Sequence, residues 1–91
     1  MRVEKSNLPT KKYVAIFSDG KKTHFGQKGA DDYTLTVDKE RREAYRSRHK
    51  KDLETGDPRR AGFLSYNLLW GDSTSLAVNI ADYKRRFAGK L

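Results

Sequence analysis

The run Asp38-Lys39-Glu40-Arg41-Arg42-Glu43-Ala44-Tyr45-Arg46-Ser47-Arg48-His49-Lys50-Lys51 holds most of the chemistry this sequence can offer. At helical spacing, Lys39, Arg42, Arg46, His49 and Lys50 fall on one face. A guanidinium is a planar fork of donors that grips phosphate through two bonds. A row of such forks suits the backbone of a nucleic acid. Val37, Arg41, Ala44, Tyr45 and Arg48 form a second face, which is expected to pack. The plainer use of the first face is solvation, with local ion pairs such as Asp38–Arg42 and Glu43–Arg46. A second cationic cluster, Lys84, Arg85 and Arg86, lies between Tyr83 and Phe87. It falls at a predicted helix C-terminus, where the helix dipole favours cations whatever they bind.

Other constellations are weaker. There is no cysteine, and the two histidines, His24 and His49, stand far apart. No metal site, disulfide or cofactor is therefore expected. Gly26-Gln27-Lys28-Gly29 has the spacing of the GxxG loop with which KH domains clamp a nucleic-acid backbone. That loop joins two helices, whereas here a strand precedes it, so a plain turn is the better expectation. Gly20-Lys21-Lys22-Thr23 lacks the upstream glycine of a phosphate-binding loop. The strand pair followed by an arginine helix vaguely resembles the opening of GIY-YIG nucleases, with Tyr13, Arg41 or Arg42, and Glu54 as usable parts. His24-Phe25-Gly26 stands where that family has Tyr-Ile-Gly, and the first strand has no Gly-Ile-Tyr. The expectation is a protein that is not an enzyme.

The chain has 91 residues, enough for one modest core. Charged and hydrophobic residues each make up 35% of it, and the net charge is +8. The excess sits in residues 1–12, 37–51 and 73–91. A polyanion is the natural partner for such a balance, which lies at the edge of what solubility alone explains. No apolar run approaches a membrane span and the N-terminus does not read as a signal peptide, so the default setting is intracellular.

The elements that must position these residues form an α+β domain. Residues 1–10 read as a flexible basic arm and 11–91 as a single domain. Tyr13–Phe17 and Lys22–Phe25 are strands joined at Asp19-Gly20, the signature of a two-residue type I′ hairpin. That register pairs Val14 with Phe25 and Ile16 with Thr23 and turns these four toward the core. Tyr33–Thr36 is expected to be a third short strand. Three helices follow. The first is capped by Asp38 and runs to about Lys51. The second, apolar on most sides, spans Pro58 to Trp70 with Asp57 as its cap. The third is capped by Asp72 or Ser73 and reaches about Ala88. Leu76, Ile80, Tyr83 and Phe87 make a core stripe on it.

Three stretches together resemble a family of short basic proteins encoded by large DNA viruses of algae and amoebae. They are Lys12–Phe17 with Gly20 and His24-Phe25-Gly26; Asp32-Tyr33-Thr34 leading to Arg46–Lys50; and Ala61–Ser65 with Leu69-Trp70-Gly71 and Ala81–Phe87. The likeness covers about residues 11–87. It implies a viral setting, in the host cytoplasm or nucleus or in the virion, and assigns no activity. The leading expectation is non-catalytic binding to DNA, or RNA, without sequence specificity. The alternatives are a minor capsid or virion protein that bridges other proteins, and the nuclease.

Overall fold

The computed structural model describes residues 1–91. Three antiparallel strands in the order β1-β2-β3 come first: β1 (Arg2–Lys5), β2 (Lys11–Ile16) and β3 (Lys22–Gln27). Then come α1 (Tyr33–Thr36), α2 (Lys39–His49) and a 3-10 segment at Lys50–Thr55. A short α3 (Ala61–Leu64) widens into a π-turn at Ser65–Leu69, and α4 (Leu76–Arg86) closes the chain. The α+β class is as the sequence predicts, with one helix more.

The hairpin differs in its turn. Phe17 N–H donates to the Lys21 carbonyl and Gly20 N–H to the Phe17 carbonyl, both at 2.9 Å. Three residues, Ser18, Asp19 and Gly20, therefore make the loop, and only Gly20 has a positive φ, +86°. A type I′ turn needs two such residues. The Asp19 carboxylate instead accepts the Lys21 N–H. The extra loop residue moves the register by one: Tyr13 faces Phe25, Val14 faces His24 and Ala15 faces Thr23. A one-residue slip exchanges the faces of a strand. Ala15, Phe17 and Phe25 enter the core, while Val14, buried by its neighbours, lies on the other side between Glu4 and His24.

The third strand is the N-terminus and not Tyr33–Thr36. Residues 2–5 pair with 13–16, so the expected arm is an edge strand, with Met1 and Val3 packed on the core. Tyr33–Thr36 forms α1 because Asp32 caps it, accepting the Thr34 N–H at 2.8 Å and the Thr34 hydroxyl. Asp32 is itself buried and bonded to Lys12 Nζ at 2.6 Å, which ties α1 to the sheet.

Asp38 caps α2 as predicted. The second apolar helix begins later than Pro58, since Arg60 is extended and the Pro58 carbonyl accepts the buried Tyr83 hydroxyl at 2.5 Å. At the π-turn, Trp70 N–H donates to the Ser65 carbonyl. Gly71 follows in a tight corner, where a Cβ would lie 2.3 Å from the Asn67 carbonyl. The Asn79 amide donates to the Leu68 and Ser73 carbonyls and accepts the Ser73 N–H, which holds this link off a helical path. Hence α4 starts only after Ser75, whose hydroxyl is the cap in place of Asp72 or Ser73, and it ends at Arg86. Its predicted stripe packs inward: Tyr83 is buried, and Leu76, Ile80 and Phe87 lie against the core.

Candidate functional site

The arginine helix is turned the opposite way to expectation. Arg42 and Arg46, assigned to a phosphate-facing surface, point into the protein. Arg46 Nε donates to the Trp70 carbonyl at 2.8 Å and Nη2 to the Asp72 carboxylate at 3.0 Å. Arg42 lies over the Tyr33 ring, 4.7 Å from its centroid, and bonds the Glu43 carboxylate and the Asp72 carbonyl. These two guanidinium groups tether α2 to the link after the π-turn. They meet carbonyls that would otherwise lack a partner, which explains why cations occupy a packing face.

The face expected to pack is the open one, apart from Tyr45. Val37, Arg41, Ala44 and Arg48 are exposed. Arg41, Ala44 and Arg48 form one wall of a cleft of about 470 Å³. The facing wall is the end of the sheet, Lys12, Gly26 and Gln27, with the Ala30–Asp32 loop; Ser65, Leu69 and Trp70 complete the lining. Gly26 has φ +77°, and a Cβ there would come within 2.9 Å of Leu69. Only glycine lets the strand end approach the π-turn so closely. Of the Gly26–Gly29 stretch, expected to be a plain turn, Gly26 and Gln27 instead end β3 and border this cleft, and only Lys28 and Gly29 turn the chain toward α1.

Aromatic rings stack along the same wall. Tyr45 lies parallel to Trp70, with centroids 4.4 Å apart, and to His49, 4.1 Å apart. Two rings cannot stack this closely on one face of a third, so Tyr45 is sandwiched and the column runs Trp70–Tyr45–His49. Burial pushes the Tyr45 phenol up to about 12, with the Asp52 charge adding and Arg48 opposing. At neutral pH it is a hydroxyl donor and not a phenolate.

Charge in the cleft is mostly neutralised. Lys12 pairs with Asp32, and Arg41 with Asp31 at 3.2 Å. The Arg48 guanidinium has no acidic partner. That contrast extends over the molecule. Every arginine except Arg48 makes an ion pair with a carboxylate. Among the lysines only Lys12 does.

The eight residues expected to contact a polyanion are thus not one surface. Lys39, Lys50 and Lys84 are exposed and unpaired. Arg42 and Arg46 are docked. His49 is stacked on Tyr45, with Nδ1 3.3 Å from Asp52. Arg85 and Arg86 pair with Asp82, and Arg86 also donates to the Asn67 amide oxygen. The sequence reading missed Arg48, Gln27 and Trp70 as lining residues. The i, i+3, i+7 spacing of Arg41, Ala44 and Arg48 was visible, but which face looked outward was not. Of the residues considered for a nuclease, Arg41 lines the cleft, Tyr13 packs on Phe25, and Glu54 lies outside it on the 3-10 segment.

These features define a small α+β domain with a cleft between a cationic helix and the end of a three-stranded sheet. The chain belongs to a family of unknown function, DUF5754, whose model matches residues 1–49. The match spans the sheet and all of α2, including Arg41 and Arg48, and stops short of Trp70. No curated protein and no solved structure matches the chain.

Proposed function

We propose that this protein is a non-catalytic binder of nucleic acid, without sequence specificity, working through its unpaired cations. The observation that carries this is the division between the two kinds of cation. Every arginine but Arg48 is consumed by an intramolecular pair, while Arg48 and all the lysines except Lys12 have no carboxylate partner. Phosphate contact by such groups releases counterions and reads no bases. Arg48, Lys50 and Lys51 follow one another at the end of α2, and Lys11 and Lys28 adjoin the cleft residues Lys12 and Gln27. The resemblance to basic proteins of large DNA viruses makes a viral genome or transcript the polyanion of this proposal.

The test is binding to DNA and RNA over a range of salt. Affinity should fall with a log–log slope of about −0.9 per phosphate contacted on duplex, or about −0.7 on a single strand. Replacing Arg48, Lys50 and Lys51 by Gln should flatten that slope. Absence of binding at low salt would overturn the proposal.

One observation favours a second reading, a virion protein that bridges others. Leu35 and Val37, at the end of α1, are both exposed, at 64% and 62%. Val37 holds a positive φ of 57°, uncommon for a β-branched residue. A complex with a virion protein that survives high salt and is lost on Leu35→Ser would support it.

A further inference from the structure

We infer that the cleft takes one unpaired nucleotide, so that the partner is a single strand and not a duplex. This rests on the nucleic-acid proposal above and narrows it to a substrate class. Three observations converge. The first is shape. A recess of about 470 Å³ between a helix and a sheet end is within the range of small-ligand sites. It is concave, so a base held inside a duplex cannot enter it.

The second is the ring column. It ends on His49, whose side chain is 40% exposed. A base can add to Trp70–Tyr45–His49 as the next layer. Stacking of this kind tolerates any base and is the usual means of holding single strands.

The third is the inventory of unused polar groups. Within the cleft, Lys12 and Arg41 are neutralised by carboxylates, which leaves Arg48 as the one unneutralised permanent charge, enough for one phosphate. The side chains of Gln27 and Ser65 and the Tyr45 hydroxyl have no hydrogen-bond partner in the protein. They offer donors and acceptors to a base edge or a sugar. DNA and RNA share this chemistry, and only the sugar distinguishes them.

The experiment uses the full chain and three probes: a short oligothymidylate, the matching oligouridylate, and duplex DNA of equal charge. Trp70 is the only tryptophan and lines the cleft, so its emission reports occupancy. Both single strands should change Trp70 emission saturably, and the duplex should bind more weakly and leave it unchanged. A preference between the two single strands assigns the sugar. Arg48→Gln should lower single-strand affinity about tenfold, the scale of one charge-assisted hydrogen bond. Arg85→Gln, on α4 outside the cleft and already paired with Asp82, should change it far less. Arg48 is exposed and unpaired, so its variant should keep the wild-type thermal midpoint. Equal binding of duplex and single strands, with Trp70 silent and the two Gln variants alike, would overturn this inference and leave the broader proposal standing. No binding of any probe at low salt would remove both.

Discussion

Tyr45 lies flat on Trp70, ring planes 9° apart and centroids 4.4 Å apart, so α2 and the chain after the π-turn are joined through an aromatic face. Burial in this stack raises the Tyr45 phenol from its ordinary value near 10 to about 12. The folded state therefore holds that proton more tightly than the unfolded chain. The stability it contributes is complete below about pH 10 and is lost as pH rises through about 12. Burial shifts Tyr83 in the same direction. The urea midpoint should be flat to about pH 10 and then fall. Tyr45→Phe, which keeps the stack, should fall less. An identical alkaline decline in that variant would mean Tyr45 is not the group responsible.

Arg46 and Arg48 are two residues apart and should behave oppositely. Arg46→Gln removes the donor to the Trp70 carbonyl and should cost about 1–3 kcal/mol. Arg48→Gln removes no hydrogen bond or ion pair within the protein and should stay within about 0.5 kcal/mol. Urea denaturation of the two variants checks the orientation of α2 directly. Equal costs would mean the helix is rotated from the position described.

Lys12 and Asp32 form the most buried ion pair, with side chains 13% and 3% exposed. Lys12→Met strands a carboxylate away from water and should cost about 3–5 kcal/mol. Adding Asp32→Asn should recover part of that loss, because Asn still caps α1. Thermal midpoints of the single and double variants make the comparison. A double variant no better than Lys12→Met would show that Asp32 is not the source of the penalty.

Two glycines separate crowding from backbone strain. Gly71→Ala places a methyl against the Asn67 carbonyl and should cost at least about 1–3 kcal/mol. Gly29 has open space around it but a φ of +87°, so Gly29→Ala should cost only about 1 kcal/mol. Calorimetry that ranked them the other way would count against the corner at Gly71.

Local signals in the sequence were readable where a side chain acts on its own backbone. Asp38 caps α2 as expected, and the Leu76–Ile80–Tyr83–Phe87 stripe faces the core. Tyr33-Thr34-Leu35-Thr36 has strand-like composition, and the Asp32 cap outweighs that propensity. The hairpin register could not be read from alternation. Both faces of β2 are apolar, Val14 and Ile16 on one and Tyr13 and Ala15 on the other, so loop length and helix packing decided. Arg2-Val3-Glu4-Lys5 reads as an arm because it has one apolar residue, which is all that β1, an edge strand, needs.

The candidate site was half legible for a related reason. Counting cations on a helical wheel located α2 as the relevant element. It could not locate the outward face, because Arg42 and Arg46 serve as packing residues. Their guanidinium groups lie over the Tyr33 and Tyr66 rings, and their donors meet backbone carbonyls. A wheel scored by polarity assigns such residues to solvent.

The separation of arginines from lysines makes the molecule's charge removable without disturbing its architecture. Acetylation of primary amines would reach ten of the eleven lysines without touching an ion pair, and it leaves every guanidinium intact. The acylated protein would migrate as an acidic species yet still unfold as one unit. A cell, or a chemist, could thus switch off its electrostatic reach by a surface reaction that the interior does not register.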